Sequence, residues 1–104
     1  MQLYGLRNCD TCRAARKALP EADFVDVRES PLDRSILETA LERFGDALLN
    51  RKSTTWRGLS AGDRARPPLD LLADHPALMK RPLIVAGDRM WLGWTAATRA
   101  ELGV

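Results

Sequence analysis

Two cysteines three positions apart, Cys9 and Cys12, are the residues of this chain most suited to chemistry, and they are its only cysteines. They stand in the segment Asn-Cys-Asp-Thr-Cys at residues 8–12. Such a pair can be a redox couple, part of a metal site, or two small buried side chains. Zinc needs about four ligands, and the chain adds a single histidine, His75. A zinc site within one chain is therefore disfavoured, while a site shared by two chains stays open.

The segments on either side of the cysteines must position them. Residues 2–6 are apolar and predict a strand, whereas residues 10–19 have the spacing of a helix that Pro20 ends. On this helix four apolar residues are expected on one side: Ala14, Ala15, Ala18 and Leu19. Three basic residues are expected to face water: Arg13, Arg16 and Lys17.

Cys9 therefore falls where the first strand passes into the first helix. The unpaired N–H groups of a helix start carry roughly half a positive charge, which favours a thiolate over a thiol. Cys12 lies one turn further into the helix and can reach back within disulfide range. We expect Cys9 to be the exposed nucleophile and Cys12 the resolving thiol.

The remaining segments complete an α/β pattern. Residues 22–27 predict a second strand, residues 30–45 a helix with Ser30 as N-cap and Asp33 at the capping-box position, and residues 46–59 a helical turn and a polar loop. Residues 66–79 contain a further helix that Pro76 breaks, residues 81–94 predict a β-hairpin, and residues 95–104 a closing helix with Thr95 as N-cap. The order β-α-β, helical middle, β-β-α predicts a thioredoxin-like fold with a mixed four-stranded sheet. We expect one domain over residues 1–104, with a helical insertion at about 30–79.

Composition limits the classes of function. The net charge of +2 gives no argument for nucleic acid or for a membrane surface, and the 45% hydrophobic fraction is typical of globular proteins. The N-terminus lacks the pattern of a secretory signal, so we expect a cytoplasmic protein in which a close cysteine pair is catalytic or redox-sensing. No glycine-rich cofactor motif is present.

Two arginines could complete a site around Cys9. Arg51 begins a polar loop, and Arg81 directly precedes Pro82, which opens the third predicted strand. If both guanidinium groups reach the sulfur, they lower its pKa further and can hold an oxyanion. Trp56 and Arg57 follow in the same polar loop, where the tryptophan can pack on the core or line a groove beside the cysteine.

Three segments together resemble a known family. LYGLRNCDTCRAARKAL, LLNRKSTTWRGL and DHPALMKRPLIVAGDRMWLGW are similar, in order and spacing, to the glutaredoxin-dependent arsenate reductase and Spx regulator family, and most of all to its short YffB-like members. The resemblance implies a thioredoxin-like fold with Pro82 as a cis-proline. It implies that Cys9 is the nucleophile and that Arg51 and Arg81 lower its pKa and hold the oxyanion. Asn8 and Thr11 would lie in the anion loop around Cys9.

Two departures from the arsenate reductases bear on function. Those enzymes have a third arginine after the fourth strand, and Gly93 stands at that place here. They also lack Cys12, and their single thiol is resolved by glutathione and glutaredoxin. A second cysteine is shared with the Spx regulators, in which the pair is an oxidation switch and the protein binds the RNA polymerase α subunit.

Three functions from different classes of protein agree with these residues. The first is a thiol oxidoreductase in which Cys9 attacks a disulfide, a glutathionylated thiol or an oxyanion, and Cys12 or glutathione resolves the intermediate. Glutathione would be its reductant, without a bound cofactor, and glutaredoxin a possible partner. The second is an Spx-type redox-sensing regulator. A third is a retained fold with a different or lost activity.

Overall fold

The computed structural model describes residues 1–104. Its strands are β1 (Gln2–Gly5), β2 (Asp23–Asp26), β3 (Leu83–Ala86) and β4 (Arg89–Leu92). Its helices are α1 (Asp10–Ala18), α2 (Arg34–Phe44), α3 (Thr54–Arg57), α4 (Ala61–Arg64), α5 (Pro68–Asp74) and α6 (Ala96–Leu102), with short 3-10 helices at Gly45–Leu48 and Pro76–Leu78. None of these helices has the length and apolar character that crossing a membrane requires.

The four strands form one mixed sheet in the order β2-β1-β3-β4. β1 runs parallel to β2, with Leu3 opposite Phe24, and antiparallel to β3, with Leu3 opposite Ile84. β3 and β4 form the predicted hairpin around Gly87, whose φ of 58° favours glycine. The predicted α/β class, with a mixed four-stranded thioredoxin-like sheet, is confirmed.

The chain forms two compact units. Residues 1–30 and 81–104 make the first, which contains the sheet, α1 and α6, and which we call the sheet unit. Residues 31–80 make the second, which contains α2 to α5, and which we call the helical unit. The expected organisation as one domain with an insertion stays a prediction.

The core of the sheet unit lies where α1 covers the central strands. Leu3, Ala15, Ile84 and Trp91 form a buried cluster, and Phe24 packs against it. On α1 the buried residues are Cys12 and Ala15, so the expectation that Ala14 lies on the apolar side is wrong, since Ala14 is exposed. The face of α1 that packs against the sheet is therefore the one that carries Cys12 and Ala15, so Cys12 lies inside the unit.

The helical unit departs from the sequence predictions at two points. Helix α2 begins at Arg34 with Asp33 as N-cap, so the predicted cap at Ser30 is wrong. The backbone N–H of Ser30 instead donates to the carbonyl of Asp26 (2.9 Å) in the turn that follows β2. Trp56 lies in α3 rather than in a loop, because the Ser53 hydroxyl accepts the N–H of Trp56 and caps a short helix.

Candidate functional site

Cys9 occupies the N-cap position of α1. Its backbone is extended (φ −104°, ψ 121°), and its carbonyl accepts the N–H of Arg13 (2.9 Å), which is the first bond of the helix. The side chain is half-buried and makes no capping hydrogen bond of ordinary geometry. Cys9 is therefore partly exposed, and it stands at the positive end of the helix dipole, as the sequence predicts.

Cys12 is fully buried, with a relative exposure of 0%. Its sulfur packs on β1 so closely that a Cβ built on Gly5 would lie 2.4 Å from it. Both cysteines are free thiols. The spacing of three residues thus produces two unlike environments, one at the surface and one inside.

The two thiols titrate in opposite directions. Partial burial raises the pKa of Cys9, but the backbone N–H and the thiol of Cys12, together with the guanidinium of Arg81, outweigh burial and hold the pKa below its ordinary value. Burial, together with the hydrogen bond and the charge of the neighbouring Cys9, raises the pKa of Cys12 to about 12, although the backbone N–H of Leu6 and the charge of Arg81 act in the opposite direction. At neutral pH this arrangement favours a Cys9 thiolate that accepts a hydrogen bond from the Cys12 thiol.

Arg81 and Pro82 lie in the sheet unit with the cysteines. The peptide bond between them is cis, and Pro82 is buried at the start of β3. Arg81 is half-buried and acts on Cys9 both by hydrogen bonding and by charge. Two arginines, Arg51 and Arg81, were predicted to lower the pKa of Cys9. Arg81, which lies in the same unit as Cys9, does lower it.

Gly93 follows β4, at the place where the resemblance to arsenate reductases leads us to expect a third arginine. Its φ of 80° lies in the left-handed region, which residues with a side chain adopt at a cost. Its N–H donates to the carbonyl of Pro82 (2.8 Å). An arginine would be strained in this backbone conformation, so the turn itself favours glycine at residue 93.

Asp26 is a residue of the site that sequence reasoning missed. Its buried carboxylate accepts the backbone N–H of Arg7 (2.9 Å) and that of Arg28 (2.9 Å), while its carbonyl accepts those of Glu29 and Ser30. Burial raises the pKa of Asp26, but the backbone N–H groups of Arg7, Arg28 and Glu29, together with the charge of Arg7, lower it below its ordinary value. The carboxylate thereby ties the end of β2 to the loop that leads into Cys9. An aspartate at the end of the predicted second strand was the only signal, and it does not reveal the partner.

Ion pairs on the surface brace the same loop. Arg7 forms a two-pronged pair with Glu29 (3.1 and 3.3 Å), and Arg13 donates to the carbonyl of Arg7 and pairs with Asp10 (3.3 Å). Asn8 and Thr11, the predicted anion-loop residues, are exposed immediately beside Cys9 in sequence. Their role in holding an anion stays a prediction.

Arg51, Trp56 and Arg57 belong to the helical unit. Arg51 pairs with Asp46 (3.4 Å), and its guanidinium lies 5.4 Å from the centre of the Trp56 ring. Arg64 lies 5.7 Å from the same ring and donates to the carbonyl of Arg57 (3.1 Å). The half-buried tryptophan is therefore close to two cations, and the predicted approach of Arg51 to Cys9 stays a prediction.

The mixed sheet, with a Cys-x-x-Cys segment at the start of its first helix, defines a thioredoxin-like protein. The ArsC family model matches residues 4–102, and the chain belongs to the ArsC family. It is 36% identical over 103 residues to an uncharacterized protein of Haemophilus influenzae, covering 88% of this chain and 89% of the relative. It is 28% identical over 102 residues to the global transcriptional regulator Spx of Bacillus subtilis, covering 88% of this chain and 78% of that regulator.

The fold is also similar to that of a solved YffB protein. The TM-score is 0.86 and the identity 31%, with 95% of each chain covered. The expected family and its YffB-like and Spx relatives are confirmed.

Proposed function

We propose that this protein is a thiol oxidoreductase in which Cys9 is the nucleophile and Cys12 or glutathione resolves the intermediate. The observation that carries the proposal is the opposite shift of the two thiol pKa values, with Cys9 lowered and half-buried and Cys12 raised and inside. One thiol is thus poised to attack first, and the other is held back as a proton donor.

The reaction begins when the Cys9 thiolate attacks one sulfur of a disulfide or of a glutathionylated thiol. A new S–S bond forms to Cys9, the old one breaks, and the departing sulfur keeps the electron pair. Once Cys9 carries no charge, its contribution to the raised pKa of Cys12 is gone. Cys12 can then give up its proton, attack Cys9 and release the second thiol. Two molecules of glutathione would reduce the resulting internal disulfide and leave as oxidised glutathione.

Arg81 supports this cycle because it lowers the pKa of the nucleophile. From the resemblance to arsenate reductases we expect Arg51 to act on Cys9 in the same direction, with Asn8 and Thr11 contributing to an anion loop. Arsenate itself is a less favoured substrate, since Gly93 stands where those enzymes have a third arginine and its backbone disfavours a side chain.

Mass spectrometry after treatment with oxidised glutathione tests the proposal. We expect an internal disulfide in the wild type and a stable glutathione adduct on Cys9 in the Cys12→Ser variant. If the wild type forms neither an internal disulfide nor an adduct, and the variant forms no adduct, Cys9 is excluded as the attacking thiol. A wild type that keeps the adduct, like the variant, would show that glutathione rather than Cys12 resolves the intermediate.

A redox-sensing regulator is the second candidate, because the chain is 28% identical to Spx of Bacillus subtilis. In this alternative the cysteine pair is a switch without turnover, and the partner is the RNA polymerase α subunit. A pull-down with that subunit, with and without oxidant, distinguishes the two functions. Binding that changes with oxidation favours the regulator, and the lack of binding in both states excludes it.

A further inference from the structure

One face of α1 carries a row of basic side chains that begins next to the nucleophile. Arg13, Arg16 and Lys17 follow Cys9 at intervals of four, seven and eight residues, which is the spacing of one helix face. The three side chains line a groove of about 520 Å³ that continues over Pro20 to the outermost strand, β2.

The groove has an excess of positive charge. Asp23 is its one acidic lining residue against three cations. Arg13 is paired with Asp10, whereas Arg16 and Lys17 enter no ion pair. Arg13 lies three and four residues before these two cations, a spacing at which like charges repel each other.

Arg16 is held in place at this surface by an aromatic contact. Its guanidinium lies 4.2 Å from the centre of the Phe24 ring on β2, at the range of a cation–π interaction. A cation fixed in this way loses less conformational freedom when an anion binds. The groove is therefore suited to carboxylates that approach along α1.

We propose that this groove docks an acidic polypeptide segment of the substrate, whose carboxylates lie two to four residues from the cysteine that Cys9 attacks. The inference rests on the proposed function and names its substrate class. The spacing follows from geometry: four to eight residues of helix span about 6 to 12 Å. An extended peptide covers that distance in about two to four residues at about 3.3 Å per residue.

The bond that breaks in such a segment is the disulfide between its cysteine and glutathione. The Cys9 thiolate attacks the sulfur of the docked peptide cysteine, the bond to glutathione breaks, and glutathione leaves as the thiolate. Cys12 or a second glutathione then attacks Cys9 and releases the reduced peptide. Glutathione supplies the two electrons that restore the protein.

The test compares glutathionylated peptides of equal length that carry either acidic or lysine residues at the second to fourth positions from the cysteine. Versions with these residues before and after the cysteine cover both directions of binding. At low salt we expect kcat/KM for the acidic peptide to exceed that for the basic peptide about tenfold, because several exposed ion pairs and long-range attraction act together. The preference should shrink at high salt, where such charges are screened.

Arg89 supplies a control with the same kind of aromatic contact, and it differs from Arg16 in its ion pair with Glu101 (3.7 Å). It lies 4.7 Å from the ring of Trp91 on β4, at the opposite edge of the sheet from Arg16 and Phe24. We expect the Arg16→Gln and Lys17→Gln double variant to lose most of the preference, and Arg89→Gln to retain it.

The outcomes separate the two ideas. Equal rates for acidic and basic peptides, or an equal loss of preference in Arg89→Gln, would overturn the groove as a docking site while leaving the oxidoreductase intact. If neither peptide is reduced, nor small-molecule disulfides, the proposed function itself fails.

Discussion

A methyl group at Gly5 should displace the buried cysteine. An alanine Cβ there would lie 2.4 Å from the Cys12 sulfur and 3.2 Å from the Cys12 Cβ. Carbon contacts are normally about 3.5 to 4.0 Å apart, so the sulfur must move by roughly 1 Å within a packed core. Overpacking of this kind costs about 1 to 3 kcal/mol. Alanine gains up to about 1 kcal/mol from the unfolded chain. The difference spans about 0 to 3 kcal/mol, and from its centre we expect Gly5→Ala to lower the free energy of unfolding by roughly 1 to 2 kcal/mol.

A double-mutant cycle isolates this clash. In a Cys12→Ala background the sulfur is absent. The atoms nearest to an alanine Cβ at position 5 are then the Cβ of residue 12 (3.2 Å) and a ring carbon of Phe24 (3.6 Å). Gly5→Ala should then cost at least about 1 kcal/mol less than in the wild type. Urea unfolding of the four proteins under reducing conditions measures the difference. Additive costs, within about 0.5 kcal/mol, would refute the packing of Cys12 on Gly5.

Substitutions of Asp26 and of Arg81 test the loop that leads into Cys9 and the pKa of Cys9. Asp26→Asn leaves one backbone N–H without its carboxylate acceptor and should cost about 1 to 3 kcal/mol in urea unfolding. Because the pKa of Asp26 is lowered on folding, its contribution is complete above the ordinary pKa and is lost as the pH falls through the lowered one, so the wild type and the variant should converge in acid. If the free energies of unfolding of the two proteins instead became equal at high pH, the lowered pKa of Asp26 would be contradicted. Arg81→Gln should raise the pKa of Cys9 and slow its alkylation at neutral pH, whereas Arg81→Lys should retain part of the effect because the charge remains. Equal alkylation of all three proteins would remove Arg81 from the site.

The sequence predicted the elements and the unlike environments of the two cysteines because both follow from local patterns. A cysteine at a helix start differs from one a turn later whatever the rest of the chain does. The buried row on α1 was harder to predict, because an alanine-rich helix offers several apolar rows. The sheet selects the row with Cys12 and Ala15, and leaves Ala14 exposed.

Long-range polar contacts could not be predicted in the same way. Asp26 and the N–H of Arg7 are 19 residues apart, and only the parallel pairing of β1 with β2 brings them together. At the start of α2 the sequence predicted Ser30 as the N-cap and Asp33 as the capping-box residue, but residues 31–33 are not helical and Asp33 takes the N-cap position. Local sequence gives candidates at such points, whereas the tertiary fold selects among them.

The central claim is that Cys9 is a thiolate held by its surroundings while Cys12 keeps its proton. The most direct measurement is the rate of alkylation at each cysteine, followed separately by mass spectrometry across pH. We predict that Cys9 reacts with a midpoint below the ordinary pKa of a cysteine, and that Cys12 stays unreactive until strongly alkaline pH, consistent with its pKa of about 12. A Cys9 midpoint at or above the ordinary value, or a Cys12 that reacts first, would contradict the account.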